Sequence, residues 1–206
     1  MNHCRGARAF LHCSSTAVYQ PDGHRRFKET DPLGDNHRPM SFLSTYSISK
    51  ISAEAMARFC ARQLSLPTTI ARLNVPYGDR GGWPAYQVAM MLGGMAIGVH
   101  ADAPCEYNPI HDDDIVAMIP GLLAAASVPA TILNWGGDDV VSVEEWCAYL
   151  GGLVGVEPTF ETSAEALPSV AVDLTELHRV VGHSTVPWRD GMRRLVENLY
   201  PDKLVG

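Results

Sequence analysis

Tyr46-Ser-Ile-Ser-Lys-Ile-Ser-Ala-Glu-Ala-Met-Ala-Arg-Phe-Cys-Ala-Arg-Gln-Leu64, followed past Pro67 by Thr68-Thr-Ile-Ala-Arg-Leu73, decides the fold. Ile48, Ile51, Ala55 and Phe59 recur at helical spacing, which predicts a helix from about Ser44 to Leu64. Thr68 to Leu73 is rich in β-branched residues and reads as a strand. Upstream, Arg8-Ala-Phe-Leu-His-Cys13 reads as a short buried strand ending at Ser14-Ser15. A strand, a helix of this length and a second strand make a βαβ unit, which implies a parallel sheet.

Outward from this unit the texture varies. Gln20 to Pro39 is polar and rich in Pro, Gly, Asp and His, a long loop of the kind that often carries function. Val75 to Pro84 reads as a turn-rich excursion. Ala85 to Met95 and Asp113 to Ala126 read as helices, and Ala130 to Trp135 as a strand that can rejoin the first sheet. Ser142-Val-Glu-Glu145 is a capping box opening a helix to about Val154, and Asp173-Leu-Thr-Glu176 resembles another. A last helix runs from about Arg189 to Leu199. Trp135, Trp146 and Trp188 read as core or interface residues.

The chain has 206 residues and a net charge of -7, which argues against nucleic acid or an anionic membrane surface as partner. No apolar run reaches the roughly 18 residues needed to span a bilayer. The segment before Phe10 has basic residues, but the apolar stretch behind it is broken by His12 and Cys13, so no signal peptide is read there. Five cysteines, an odd count without Cys-x-x-Cys, point to reduced thiols and a cytoplasmic setting. Cys13 and Cys60 read as small core residues.

The chemistry sits in Tyr46 and Lys50. A tyrosine with an ordinary pKa near 10 is a poor base at neutral pH, and a neighbouring ammonium favours its phenolate. Spacing i to i+4 sets both on one helical face. Tyr46 then exchanges a proton with a substrate oxygen, and Ser15, at a strand's carboxyl end, hydrogen-bonds the same oxygen. Tyr-x-x-x-Lys alone also recurs by chance on helix surfaces; the upstream Ser-Ser strand end and the βαβ context sharpen it. Arg72 has two readings, a partner for a carboxylate or a ligand contact. The glycines at 78, 81 and 82 and at 93, 94 and 98 read as loop and cap residues. His111-Asp-Asp-Asp114 reads as a helix start with acidic residues at its positive end, no metal set is read, and His24, His37 and His100 stand isolated.

Ser14-Ser-Thr-Ala-Val-Tyr19, Tyr46-Ser-Ile-Ser-Lys50, Arg72-Leu-Asn-Val-Pro-Tyr-Gly78, Asn108-Pro-Ile-His-Asp-Asp-Asp114 and Asn134-Trp-Gly-Gly137 together resemble the extended short-chain dehydrogenase/reductases, the group containing NAD-dependent epimerases and dehydratases. The resemblance implies an enzyme with Ser15, Tyr46 and Lys50 as its catalytic residues. It implies a cofactor, NAD or NADP, held by Tyr46, Lys50, Leu73, Asn74 and Val75. In nucleotide-sugar epimerases an asparagine usually precedes the proline of the third motif; here Val75 stands there and Asn74 one place earlier. The family begins with a strand, a glycine-rich turn and a helix that hold the pyrophosphate. About three βα units of roughly 30 residues are expected before Arg8, with Met1 to Ala7 the end of a neighbouring helix.

The expected fold class is α/β: a Rossmann-like parallel sheet missing its first strands, with a smaller α+β substrate-binding region. Residues 1–75 and 111–136 are assigned to an incomplete dinucleotide-binding domain, and 76–110 and 137–206 to the substrate region. The implied activity is NAD(P)-dependent oxidoreductase, epimerase or dehydratase chemistry on a hydroxyl or keto group of a small-molecule substrate, as part of a longer chain. A homodimer through the Ser44 to Leu64 helix, weakened by the missing part, is implied as well. The alternative, from another class, is a non-catalytic remnant acting as a binding or interaction module.

Overall fold

The computed structural model describes residues 1–4 and 6–205; Arg5, within the expected Met1 to Ala7 helix end, lies outside them. In chain order the elements are β1 (Phe10–Ser15), α1 (Tyr46–Leu64), β2 (Thr68–Leu73), β3 (Pro76–Gly78), β4 (Gly81–Gly82), α2 (Trp83–Leu92), β5 (Ile97–Val99), β6 (Glu106–Tyr107), β7 (Ile110–His111) and α3 (Asp112–Ala124). There follow β8 (Thr131–Trp135), β9 (Val141–Ser142), α4 (Val143–Val154), β10 (Phe160–Thr162), α5 (Thr175–Val181) and α6 (Trp188–Leu199).

β1, β2 and β8 form a parallel sheet in that order, with β2 in the centre. Alternation along β2 sends successive side chains to opposite faces. Arg72 reaches Glu54 of α1, whereas the Thr69 hydroxyl donates to the Leu122 carbonyl of α3 at 2.7 Å. α1 and α3 therefore cover opposite faces, and α5 packs beside α3 against β8. This is the expected α/β layering. Away from this sheet, helices α2, α4 and α6 pack on one another around Trp146, Leu150, Met192 and Leu195, all buried. Ser142 caps α4 as read, its hydroxyl accepting from the Glu145 N–H at 3.0 Å. The second box does not form: Leu174 is the N-cap of α5 and has no side-chain cap bond, and Asp173 accepts instead from the Thr175 N–H at 2.9 Å.

Several expectations are corrected. The excursion from Val75 to Pro84 contains β3 and β4, a tight hairpin closed by Gly82 at φ 113°, where a Cβ would stand 2.7 Å from Tyr77 Cα. Strands of two or three residues carry no period to read. α2 begins two residues early, with Pro84 in its first turn, and ends at Leu92. Cys13 is exposed and Cys60 only half-buried; Cys105 and Cys147 are the core thiols. The apolar stripe of α1 points outward: Ile48, Met56 and Phe59 are exposed, while Ser47, Glu54, Ala57 and Ala61 are buried. Small residues and one ion pair let α1 lie close to the sheet, so its hydrophobic residues stand on the other side.

That ion pair anchors a buried polar network. Glu54 accepts from Arg72 Nε at 2.9 Å and Nη2 at 2.8 Å, and from the Ser14 hydroxyl at 2.6 Å. Arg72 Nη1 donates further to the Tyr19 hydroxyl and the Glu29 carbonyl. Tyr19 in turn donates to Asn134 Oδ1 on β8. Burial works against the Arg72 charge, but the bonds to Glu54 keep its pKa above the ordinary value. Burial pushes the Tyr19 phenol up to about 12 against the pull of Arg72. Of the two readings of Arg72, the partner for a carboxylate is the one realised.

Candidate active site

The strand register sets Ser15 opposite Leu73, and Leu73 opposite Trp135. The three strands end at one level, and a cavity of about 390 Å³ opens there. Ligands of open parallel sheets bind at such carboxyl ends.

Ser15, Tyr46 and Lys50 all border this cavity. Ser15 caps the short turn Thr16–Val18, its Oγ accepting from the Ala17 N–H at 3.2 Å. A hydroxyl has one proton and two lone pairs, so the Ser15 proton stays available to a ligand. Tyr46 opens α1 half-buried, and its hydroxyl has no partner among the described residues. Lys50 stands one turn on, with Nζ 5.6 Å from the Tyr46 ring centroid. It donates to the Cys13 carbonyl at 3.2 Å, which pins it against the end of β1 and leaves its other N–H groups unspent. A phenol, an alcohol and an ammonium at one cavity can exchange a proton with a ligand oxygen and stabilise negative charge on it.

Leu73 and Val75 form part of the wall. Val75 has φ 30°, a left-handed conformation that is an outlier for a β-branched residue. Asn74 is a correction at the level of its side chain. It is fully buried, its Nδ2 donates to the Val170 carbonyl at 2.6 Å, and its Oδ1 accepts from the Asn108 N–H at 3.2 Å. Asn74 and Asn108 knit the sheet to the 170s segment, and neither side chain is free for a cofactor.

Residue-level reading missed other parts of the cavity. Asn36 and His37 border it from the long polar loop, whose composition singled out the loop but not these two residues. Trp83 and Tyr107 border it from the helical side, edge to face with centroids 5.2 Å apart. His37 is not isolated: its ring lies 4.9 Å from that of Tyr46. His24 Nδ1 lies 3.0 Å from the Ser169 hydroxyl, and His100 Nδ1 accepts from the Asp102 N–H. His111 caps α3, accepting from the Asp113 N–H at 3.1 Å, as its acidic first turn implied.

A cluster suited to metal was also missed. Donor atoms of Asp138, His178 and His183 lie within 4.8 Å of one another, gathered from positions 40 and 45 residues apart. Each imidazole already bonds one oxygen of the carboxylate, at 3.0 and 2.7 Å, and Asp138 also accepts from the Ser184 N–H. As built, the group clips the end of α5 to the segment after β8.

Residues 1–128 match the model of the NAD dependent epimerase/dehydratase family. No curated protein matches the chain. Among solved structures, a UDP-glucuronic acid 4-epimerase from Bacillus cereus, in complex with a fluorinated UDP-sugar and NAD, superposes with a TM-score of 0.79 at 19% identity over 96% of this chain and 63% of its own. A UDP-glucose 4-epimerase from Thermus thermophilus with NAD gives 0.75 at 18%, over 96% and 66%. A dTDP-glucose 4,6-dehydratase from Streptomyces venezuelae with NAD gives 0.77 at 22%, over 96% and 61%. The chain thus spans less than two thirds of the length of these proteins. At such identities the likeness establishes the fold.

Proposed function

This chain belongs to the NAD dependent epimerase/dehydratase family, and from that membership we propose that it carries the acid–base half of an NAD(P)-dependent reaction at a hydroxyl or keto carbon of a sugar-like substrate. The observation that carries this reading is the convergence of Ser15, Tyr46 and Lys50 on one cavity at the carboxyl ends of parallel strands. In the direction of oxidation, Tyr46 Oη takes the proton of the substrate hydroxyl as the carbon gives up its hydride; in reduction it returns the proton. Ser15 donates to the same oxygen and fixes its position. Lys50, held by the Cys13 carbonyl, favours negative charge on the Tyr46 oxygen by proximity.

A nicotinamide held beside Lys50, Leu73 and Val75 would supply or accept the hydride. The residues present fit its ribose end: Lys50 keeps donors to spare, and Leu73 and Val75 give an apolar wall. Tyr46 completes that contact, whereas Asn74 does not border the cavity and its N–H is spent on the Trp135 carbonyl. We assign 1–75 and 111–136 to the cofactor side and 76–110 and 137–206 to the substrate side, a division supported by the mutual packing of α2, α4 and α6 away from the sheet. The outward stripe of Ile48, Met56 and Phe59 supports a homodimer through α1, because contiguous exposed apolar surface marks an interface. The same stripe is the one observation that favours the alternative of an interaction module.

The test is Tyr46→Phe, assayed by nicotinamide absorbance with UDP-glucose or UDP-glucuronic acid and with NAD raised until wild-type turnover saturates. Positioned acid–base groups contribute roughly 10²–10⁴-fold, so turnover should fall by that order with little change in substrate affinity. Undiminished turnover would remove Tyr46 from the chemistry.

A further inference from the structure

We propose that Asn36 and His37 form a substrate-orienting wall beside Tyr46, where His37 Nε2 accepts a hydrogen bond from a sugar hydroxyl next to the reacting carbon. The inference rests on the sugar-directed reading above and adds two residues to it.

The state of His37 follows from the bonds around Ser47. The Ser47 hydroxyl donates its single proton to the Ala17 carbonyl at 2.7 Å. Its oxygen accepts from the His37 backbone N–H at 3.1 Å and lies 3.1 Å from His37 Nδ1. With its proton spent, that oxygen can only accept, so Nδ1 is the protonated nitrogen. In the neutral ring Nε2 is then a bare acceptor. Burial favours the neutral ring, lowering the His37 pKa against the opposing pull of Asp35. Nε2 has no partner among the described residues, and the ring borders the cavity with its centroid 4.9 Å from that of Tyr46.

Asn36 makes the second, independent observation. Only 3% of it is exposed, and it borders the same cavity. Its Oδ1 is buried without a partner, and its carboxamide bonds nothing among the described residues. A ligand donor would give this stranded acceptor the hydrogen bond that buried polar atoms ordinarily have. A bare imidazole nitrogen and an unspent carboxamide suit neighbouring hydroxyls, each able to donate to one and accept from the other. They disfavour a carboxylate or phosphate at that place, since Nε2 offers no proton to an anion.

The experiment is ¹⁵N NMR of the 206-residue chain with UDP-glucose and, separately, UDP. Without ligand, Nδ1 of His37 should carry the proton and Nε2 should not, and Ser47→Ala should relax that preference. UDP-glucose should shift His37 Nε2 and the Asn36 amide, and UDP should not. Calorimetry should show UDP-glucose binding His37→Phe about 10- to 100-fold more weakly than wild type, with His37→Gln recovering part of the loss through its carbonyl oxygen. A proton on Nε2, no shift with UDP-glucose, the same shift with UDP, or equal binding by His37→Phe would each overturn the inference. Shifts at His37 together with turnover indifferent to Tyr46→Phe would instead sink the redox reading and leave this wall in place.

Discussion

Arg72→Met should be among the most damaging single changes in the chain. Both members of the Glu54–Arg72 pair are 2% exposed, and the guanidinium gives Glu54 two of its three bonds. After the change the carboxylate keeps only the Ser14 hydroxyl, and the Glu29 carbonyl loses its donor. Removing one partner of a buried pair typically costs about 3–5 kcal/mol, because the other charge stays buried and uncompensated. With a urea slope near 2 kcal/mol/M, the unfolding midpoint should drop by about 1.5–2.5 M. The double change Glu54→Leu/Arg72→Met removes both charges. It strands only the Ser14 hydroxyl and the Glu29 carbonyl, since Tyr19 still donates to Asn134. Its loss should therefore be about 1–3 kcal/mol, smaller than that of Arg72→Met alone. Urea unfolding followed by circular dichroism decides the matter. A single variant within 1 kcal/mol of wild type, or a double variant worse than the single, would refute an uncompensated charge as the source of the cost.

Calorimetry of the 206-residue chain with NAD(H) or NADP(H) should show affinity orders of magnitude below that of a complete dinucleotide site. On the proposed reading the cavity residues address the nicotinamide end, and the glycine turn that opens a helix, Gly81-Gly82 before α2, is closed into the β3–β4 hairpin against Tyr77 with Pro84 in the first turn, which gives the pyrophosphate a poor cradle; micromolar binding would contradict this. In sedimentation, charging the α1 stripe with Phe59→Glu should lower self-association of the chain, and an unchanged distribution would rule out α1 as the interface. Acid should erode the Asp79 contacts. The Arg194 bond, opposed by slight burial, holds the Asp79 carboxyl below the usual range. With the folded pKa below the unfolded value near 3.9, its stabilisation is complete above that pH and disappears as pH falls through the folded value. Asp79→Asn should flatten that part of the stability-versus-pH curve, and an unaltered slope would exclude the contribution.

Long elements with their own period or cap were legible in the sequence. β2 has the expected bounds, α1 and α6 begin within two residues of them, and Ser142 caps as its box implied. The direction α1 faces was not legible, because hydrophobic spacing reports a stripe but not which side meets the sheet. Glu54 looks like any surface glutamate until Arg72 stands opposite it across the sheet face. Ser15, Tyr46 and Lys50 could be singled out because strand end and helix start are local signals. His37 and Asn36 sit in a loop without periodicity, and their relation to the site depends on Ser47 and Ala17, ten and about twenty residues away. Asp138, His178 and His183 converge only through the packing of α5 beside β8.

The sheet order has a consequence for how the molecule breathes. Among the described residues, β2 is hydrogen-bonded on both sides, whereas β1 and β8 are each paired on one. Native-state amide exchange follows such differences, since opening begins where fewest backbone bonds must break. β2 should exchange slowest, and β1 sooner, from its unpaired edge. Ser15 and the Cys13 carbonyl that seats Lys50 both belong to β1. Ser15 is thus mounted on an edge strand, while the central strand carries the Arg72 that ties it to α1. Among the described residues the outer edge of β1 has no strand partner, so anything that pairs there would slow its exchange and steady the Cys13 carbonyl that seats Lys50.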